Sequence, residues 1–175
     1  MNQAPLVSIG MPLYNGMRFV SLAVRELLAQ THRDFELIIS DNHSTDGCYA
    51  VCEEFARRDA RVRLFRQERN RGPYFNFRFV LQQARGRYFL WASDDDSREA
   101  NFVESLLRLM ADDVAVGFCR IHTIDANGQP LRVYPDLSYG PAKIRRCLEF
   151  FLQDETCGKA NLIYGMYPTA LVRSV

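Results

Sequence analysis

The sequence predicts an α/β domain, an open and mostly parallel sheet with helices on both faces and a small antiparallel excursion near the carboxyl end. Three observations predict it. Short apolar runs alternate four times with segments of helical period, as parallel strands joined by crossover helices do. A polar cluster follows each of those runs. Beyond residue 120 the rhythm breaks at Asn127-Gly128, a strong hairpin signal.

Residues 6–11 form an apolar run ending at Pro12 and read as a buried strand. Between residues 15 and 30, Val20, Val24, Leu27 and Leu28 recur at helical spacing, with Asn15 placed to cap the helix. Residues 35–39 are the second strand, and Ser44 caps a helix whose inner stripe is Cys48, Val51, Cys52 and Phe55. Residues 62–65 are the third strand; Phe77, Val80, Leu81 and Ala84 mark a helix beginning near Gly72. Residues 88–92 are the fourth strand, followed by three aspartates and a helix over 99–110 with Phe102, Val103, Leu106 and Met110 inside. Residues 114–120 read as a fifth strand, 121–133 as a hairpin, and 141–153 as a last helix on Ile144, Cys147, Leu148 and Phe151. With no repeat, low-complexity stretch or linker, residues 1–175 read as a single domain.

At 175 residues, 47% hydrophobic and 25% charged, the chain is long enough for a real core and globular in composition. A formal net charge of +1 argues against a dedicated nucleic-acid binder, whose affinity rests on neutralising phosphates. Seven arginines do fall between Arg57 and Arg71, against only Asp59 and Glu68. Arg61 and Arg63 alternate with Val62 and Leu64 as solvent-facing strand positions would, so no nucleic-acid partner is expected. No run approaches the roughly 18 apolar residues of a membrane span, and the first dozen residues lack the pattern of a secretory leader. The expectation is a cytoplasmic protein, with peripheral association at the inner face of the membrane left open. Five scattered cysteines include no Cys-x-x-Cys pair; Cys48 and Cys52, four apart on a helix face, would seat a metal only with two further ligands and read as small buried hydrophobes. Phe151, Tyr164 and Tyr167 suit a homodimer contact or an interface with a further domain, but the expected reading is burial in the domain's own core.

In an open parallel sheet, ligands lie outside the carboxyl ends of the strands, where the following helices point their amino ends. Here those ends carry Pro12, Tyr14 and Asn15, then Asp41 through Asp46, then Asn70-Arg71-Gly72, then Asp94-Asp95-Asp96. An extended chain would carry Asp94 and Asp96 to one side. Two close carboxylates suit a hard cation, Mg²⁺ or Mn²⁺, which takes one or two carboxylates plus substrate phosphates. The blander reading is a solvated acidic turn that caps the next helix. The sequence has neither a Walker-type phosphate loop nor Gly-x-Gly-x-x-Gly, so the metal, helped by Arg71, is the expected phosphate neutraliser. Tyr14 can lie flat against a base, and Asp41 can accept from a base N–H or a ribose hydroxyl.

Residues 6–96 resemble the family 2 glycosyltransferases in four motifs, in order. These are Val7-Ser-Ile-Gly-Met-Pro-Leu-Tyr-Asn15, Leu37-Ile-Ile-Ser-Asp-Asn-His-Ser-Thr-Asp-Gly47, Arg69-Asn-Arg-Gly-Pro73 and Ala84-Arg-Gly-Arg-Tyr-Phe-Leu-Trp-Ala-Ser-Asp-Asp-Asp96. The resemblance implies the GT-A fold, a Rossmann-like open sheet, and a UDP-, GDP- or dTDP-sugar donor. It implies a sugar, lipid or protein acceptor and a place in cell-envelope polysaccharide biosynthesis. It implies that Pro12, Tyr14 and Asn15 line the nucleoside pocket and that Asp41 meets the base. Asp94, Asp95 and Asp96 would be the Asp-x-Asp element holding ribose and, through Asp94 and Asp96, the Mn²⁺ or Mg²⁺ on the diphosphate. Such enzymes generally invert the anomeric centre, with a downstream carboxylate as general base. Asp125, Asp136, Asp154 and Glu155 lie in the right half, but none has a matching context. The base is expected beyond Val175, and the chain reads as incomplete on its acceptor side. The alternative is a non-catalytic or remnant module that binds the nucleotide sugar. A nucleotidyltransferase is disfavoured because no glycine- and basic-rich entry loop follows the first strand.

Overall fold

The computed structural model describes residues 4–110, 114–125, 128–134 and 159–174. Its strands, in chain order, are β1 (Val7–Leu13), β2 (Phe35–Asp41), β3 (Val62–Arg66), β4 (Tyr88–Trp91), β5 (His122–Ile124), β6 (Pro130–Val133) and β7 (Met166–Pro168). The chain is organised as two compact units, Met1–Gly117 with Met166–Val175, and Phe118–Gly165.

The first unit is built on a five-stranded sheet of order β3-β2-β1-β4-β7. The first four strands are parallel, with Val7 opposite both Phe35 and Tyr88, and Leu37 opposite Val62. β1, β2 and β4 are covered on both faces, which is why their sequences read as continuous apolar runs rather than alternating ones. Helices α1 (Val20–Leu28), α2 (Cys48–Arg58) and α4 (Phe102–Leu109) supply Val24, Leu27, Cys52 and Leu106 to the core that holds Val7, Ile9, Met11 and Leu13. On the opposite face α3 (Pro73–Gln83) sets Val80 against Gly10 and Phe89; a Cβ at residue 10 would stand 2.7 Å from the Phe89 ring. The open α/β sheet with helices on both faces is therefore as the sequence predicts.

The amino ends of the strands are stitched by a buried polar knot. Ser8 Oγ donates to Glu36 Oε1 (2.6 Å) and accepts from the N–H groups of Arg85 (3.0 Å) and Gly86 (2.8 Å). Arg63 donates to Glu36 Oε2 at 2.7 Å, neutralising a carboxylate that is almost fully buried.

Several expectations are corrected. α1 begins at Val20, not at Asn15, because residues 15–17 are engaged in loop contacts described below. α2 begins at Cys48 behind Gly47 (φ 92°), without a side-chain cap from Ser44; Asp46 Oδ1 accepts the Cys48 N–H instead. Arg61 and Arg63 do not face solvent: they pair with Asp59 and Glu36, both at 2.7 Å. Residues 114–120 supply only a bridge at Gly117, and the place beside β4 belongs to the antiparallel β7, with Tyr88 opposite Pro168. Tyr167 packs edge-on against Trp91, and burial pushes its hydroxyl up to about 12. Cys48 and Cys52 are buried free thiols, as expected, and burial raises the Cys52 thiol to about 12.

In the second unit β5 and β6 pair antiparallel around the foreseen turn. Gly128 takes φ 78°, its N–H donates to the Asp125 carbonyl (3.0 Å), and the Gln129 N–H donates to Asp125 Oδ1 (2.9 Å). The expected helix over 141–153, with Cys147 and Phe151, and the carboxylates Asp136, Asp154 and Glu155 lie outside the described residues. No described helix is long and apolar enough to cross a membrane.

Candidate functional site

Four polar loops follow β1 to β4 at their carboxyl ends, and side chains brace the first to the second and the second to the third. Asn15, in the left-handed region at φ 53°, donates its N–H to Ser44 Oγ (2.9 Å) and accepts the Thr45 N–H on Oδ1 (2.9 Å). The Met17 N–H donates to Asp46 Oδ2 at 2.8 Å. Burial works against it, but these donations from Cys48 and Met17 hold the Asp46 carboxyl below its usual range. The loops after β1 and β2 thus form one wall.

Asn42, nearly fully buried, does the same between the loops after β2 and β3. Its Nδ2 donates to Asn70 Oδ1 (2.9 Å) and the Gly72 carbonyl (3.2 Å), and its Oδ1 accepts the Arg71 N–H (3.0 Å). Arg71 is exposed, with its guanidinium 3.5 Å from the centre of the Phe75 ring. Underneath, Asn76 on α3 donates to the carbonyls of Ser40 (2.8 Å) and Leu13 (3.3 Å), the residues just before Asp41 and Tyr14. Asp41 is fully buried: it accepts the Ser44 N–H at 3.2 Å and pairs with Arg66 Nε at 3.4 Å. Pro12 is half-buried and Tyr14 half-exposed at the rim.

The acidic loop is not extended. β4 ends at Trp91 and the chain bends at Asp94 and Asp95, so the three carboxylates part company. Asp94 is half-buried against Gly16 and Leu13. Burial first, and then the charges of Asp95, Asp96 and Asp46, push its carboxyl above the usual range. Asp95 accepts a hydrogen bond from the Ser93 hydroxyl. Asp96 is half-exposed and pairs with Arg98 at 3.3 Å; desolvation raises its carboxyl, Arg98 opposes that, and Asp95 adds to it. Arg98 also donates to the carbonyls of Ser93 (3.4 Å) and Asp96 (3.1 Å).

Helix α1 fastens this loop, a function that sequence reasoning missed. Glu26 accepts the Ser97 hydroxyl (2.9 Å) and the Arg98 N–H (2.8 Å). One turn later the fully buried Gln30 donates to the Glu99 carbonyl (2.9 Å) and accepts the Val103 N–H (2.9 Å), tying α1 to the start of α4. Both look like ordinary surface-helix residues in the sequence, because their partners lie about 70 positions downstream.

Among the described residues no three His, Cys, Asp or Glu side chains converge as a self-sufficient metal cage. Asp94 is crowded by the like charges of Asp95, Asp96 and Asp46. Such a donor set suits a hard cation that completes its shell from phosphate oxygens and water. The basic run is largely consumed internally: Arg57 pairs with Glu54 (3.2 Å), Arg58 with Glu54, and Arg66 with Asp41.

A parallel sheet with polar loops and an acidic corner at its carboxyl ends defines an open α/β protein, a class in which ligands lie outside those ends. The particular family follows from comparison. Residues 8–165 match the family described as Glycosyl transferase family 2, and the chain belongs to that family. It is 28% identical over 169 residues to TuaG of Bacillus subtilis, a glycosyltransferase named for teichuronic acid biosynthesis; the match covers 92% of this chain and 67% of TuaG. It is 30% identical over 115 residues to the glycosyltransferase GlyG of Streptococcus pneumoniae, covering 64% of this chain and 38% of GlyG. Among solved structures, S. aureus TarS 1-349 aligns with TM-score 0.74 and 19% identity over 96% of this chain and 48% of that one. The Pyrobaculum calidifontis mannosyltransferase PcManGT, in complex with GDP-Man and Mn²⁺, aligns with TM-score 0.59 and 18% identity, covering 65% of this chain and 35% of that one. These structures share the GT-A fold with this chain. The matched region spans between about a sixth and two thirds of the length of the proteins the chain matches.

Proposed function

We propose that the chain carries the donor side of a metal-assisted glycosyltransferase, moving a sugar from a nucleoside diphosphate to an acceptor hydroxyl. The observation that carries this reading is the seating of Asp94 against the loop after β1, itself braced to the loop after β2, in a chain of family 2. Complexes of its structural neighbours with GDP-Man and Mn²⁺ and with UDP-GlcNAc support a nucleotide-sugar donor and a divalent ion. The name of TuaG supports an envelope polysaccharide as the acceptor class.

In this reading Pro12, Tyr14 and Asn15 form the nucleoside wall, held in register by Ser44 and Thr45. Asp41 sits behind that wall and meets the base once the Arg66 guanidinium, 46% exposed, swings aside. Arg71 reaches the diphosphate from the rim. Asp94, with Asp95 and Asp96, holds the ribose side and a Mn²⁺ or Mg²⁺. That ion, when bound, offsets the negative charge that develops on the departing diphosphate. The acceptor oxygen attacks the anomeric carbon as the bond to the diphosphate oxygen breaks, inverting the centre, and its proton passes to a carboxylate outside the described residues.

The test is calorimetry with UDP, GDP and dTDP, with and without Mn²⁺, alongside release of nucleoside diphosphate from the matching sugar donors. Metal-dependent binding with turnover supports the proposal in full. Binding without turnover leaves a donor-binding module. Failure to bind all three nucleotides refutes the site.

A further inference from the structure

We propose that Gly16 is a positioning residue for Asp94: the missing side chain at residue 16 is the notch in which that carboxylate is seated. The inference rests on the donor-side reading above and concerns which residue sets its acidic corner.

Other glycines in the loops serve the backbone. Gly47, Gly72 and Gly128 have φ of 92°, 83° and 78°, and a Cβ on any of them would meet nothing within 4 Å. Gly16 is the reverse case. Its φ lies outside the left-handed region, so an alanine there carries no backbone strain, yet the space is already taken. A Cβ at residue 16 would overlap Asp94 Oδ2 outright and would stand 2.9 Å from Asp94 Cγ and 2.6 Å from Leu13 Cδ1. The atom it overlaps is the end of a short, rotatable side chain. An added methyl group therefore evicts the carboxylate rather than breaking the sheet.

The surroundings give the notch its direction. The next residue, Met17, is tied through its N–H to Asp46 at 2.8 Å, and Asn15 is tied to Ser44 at 2.9 Å, so residue 16 is held between two fixed neighbours. On the other side Glu26 anchors Ser97 and Arg98, just past the aspartates. Wall and acidic loop therefore approach each other at Gly16 and Asp94 with neither free to retreat. Asp95 is engaged by Ser93 and Asp96 by Arg98, which leaves Asp94 as the carboxylate aimed by packing.

The test compares wild type, Gly16→Ala, Asp94→Ala and the double variant, titrated calorimetrically with UDP, GDP and dTDP, in EDTA and in Mn²⁺, with melting temperatures measured without ligand. The expected result is that Gly16→Ala keeps its affinity in EDTA and loses about tenfold or more of the gain that Mn²⁺ confers, the usual range for a residue that orients a ligand of the ion. In the Asp94→Ala background the same change should remove nothing further, because a residue acting through another is non-additive with it. Full retention of the Mn²⁺ gain by Gly16→Ala, or losses that simply add, overturns the inference and leaves the donor-side reading intact. A wild type without any Mn²⁺ gain for UDP, GDP or dTDP overturns both. Should Gly16→Ala melt far below wild type, Leu13→Val/Gly16→Ala, in which the overlap with Asp94 remains, takes its place in the same titrations.

Discussion

Truncating Glu26 separates the anchoring of the acidic loop from the loop itself. In Glu26→Ala two hydrogen bonds to a carboxylate are lost, from the Ser97 hydroxyl (2.9 Å) and the Arg98 N–H (2.8 Å). Bonds to charged groups contribute about 1.5–3 kcal/mol each when sheltered; Glu26 is half-buried and Ser97 exposed, so about 2 kcal/mol for the pair is a fair expectation. At roughly 2–4 °C per kcal/mol for a chain of this size, the melting temperature should fall by about 4–8 °C. A loop no longer held must be re-ordered by its ligand, and if half of that free energy is needed at binding, Mn²⁺-dependent UDP or GDP affinity drops about fivefold. Glu26→Gln, which keeps one acceptor oxygen, should fall between. The assays are thermal melts and calorimetry on the same preparations. A Glu26→Ala protein that melts several degrees lower yet binds nucleotide and Mn²⁺ as tightly as wild type would refute the idea that this carboxylate aims the aspartates.

Asp94→Asn should stabilise the ligand-free chain at neutral pH. The folded carboxyl is raised above its ordinary value of 3.8, so the folded state is penalised once the group ionises. Below that ordinary value the variant and wild type should melt together, and the gap should open as pH rises through the elevated folded pKa; a gap of opposite sign in urea melts across that window refutes it. Asp96→Ala removes the carboxylate partner of an Arg98 side chain that is only 6% exposed, so it should destabilise the chain by about 1–3 kcal/mol in urea melts, while Mn²⁺-dependent binding falls sharply. Gly86→Ala would put a Cβ 2.7 Å from the Ser8 nitrogen and 2.8 Å from the Val7 carbonyl carbon, backbone of the central strand that cannot yield. It should cost about 3 kcal/mol or more by prising apart the Ser8–Glu36 knot, and a denaturant midpoint near wild type would contradict that packing.

The strands were legible because burial on both faces leaves an unbroken apolar run, and β1 to β4 fall within two residues of where those runs lie. Helix starts were less so. Asn15 and Ser44 have the chemistry of caps, but each spends it on the other's loop, 29 residues away, and no local pattern reports such a partner. β7 escaped notice for a different reason. Three residues ending in Pro168 carry no period, and only the neighbouring β4 edge makes them a strand. In the site the strand-end residues were readable from type and place. Glu26, Gln30, Asn42 and Asn76, which hold them, were not, since each is defined by contacts 28 to 73 residues distant.

The chain leaves its first compact unit at Gly117 and returns at Met166, and these two residues are joined by reciprocal N–H to carbonyl bonds of 2.9 and 2.7 Å. Exit and entry are therefore a single point on the rim of the sheet. A segment hung from such a clasp can lengthen, shorten or change its sequence at little entropic cost to the scaffold, since loop closure depends only logarithmically on length. The polar strand-end loops and the acidic corner all lie in the first unit. The sheet of the first unit is thereby closed independently of the length of chain between Gly117 and Met166.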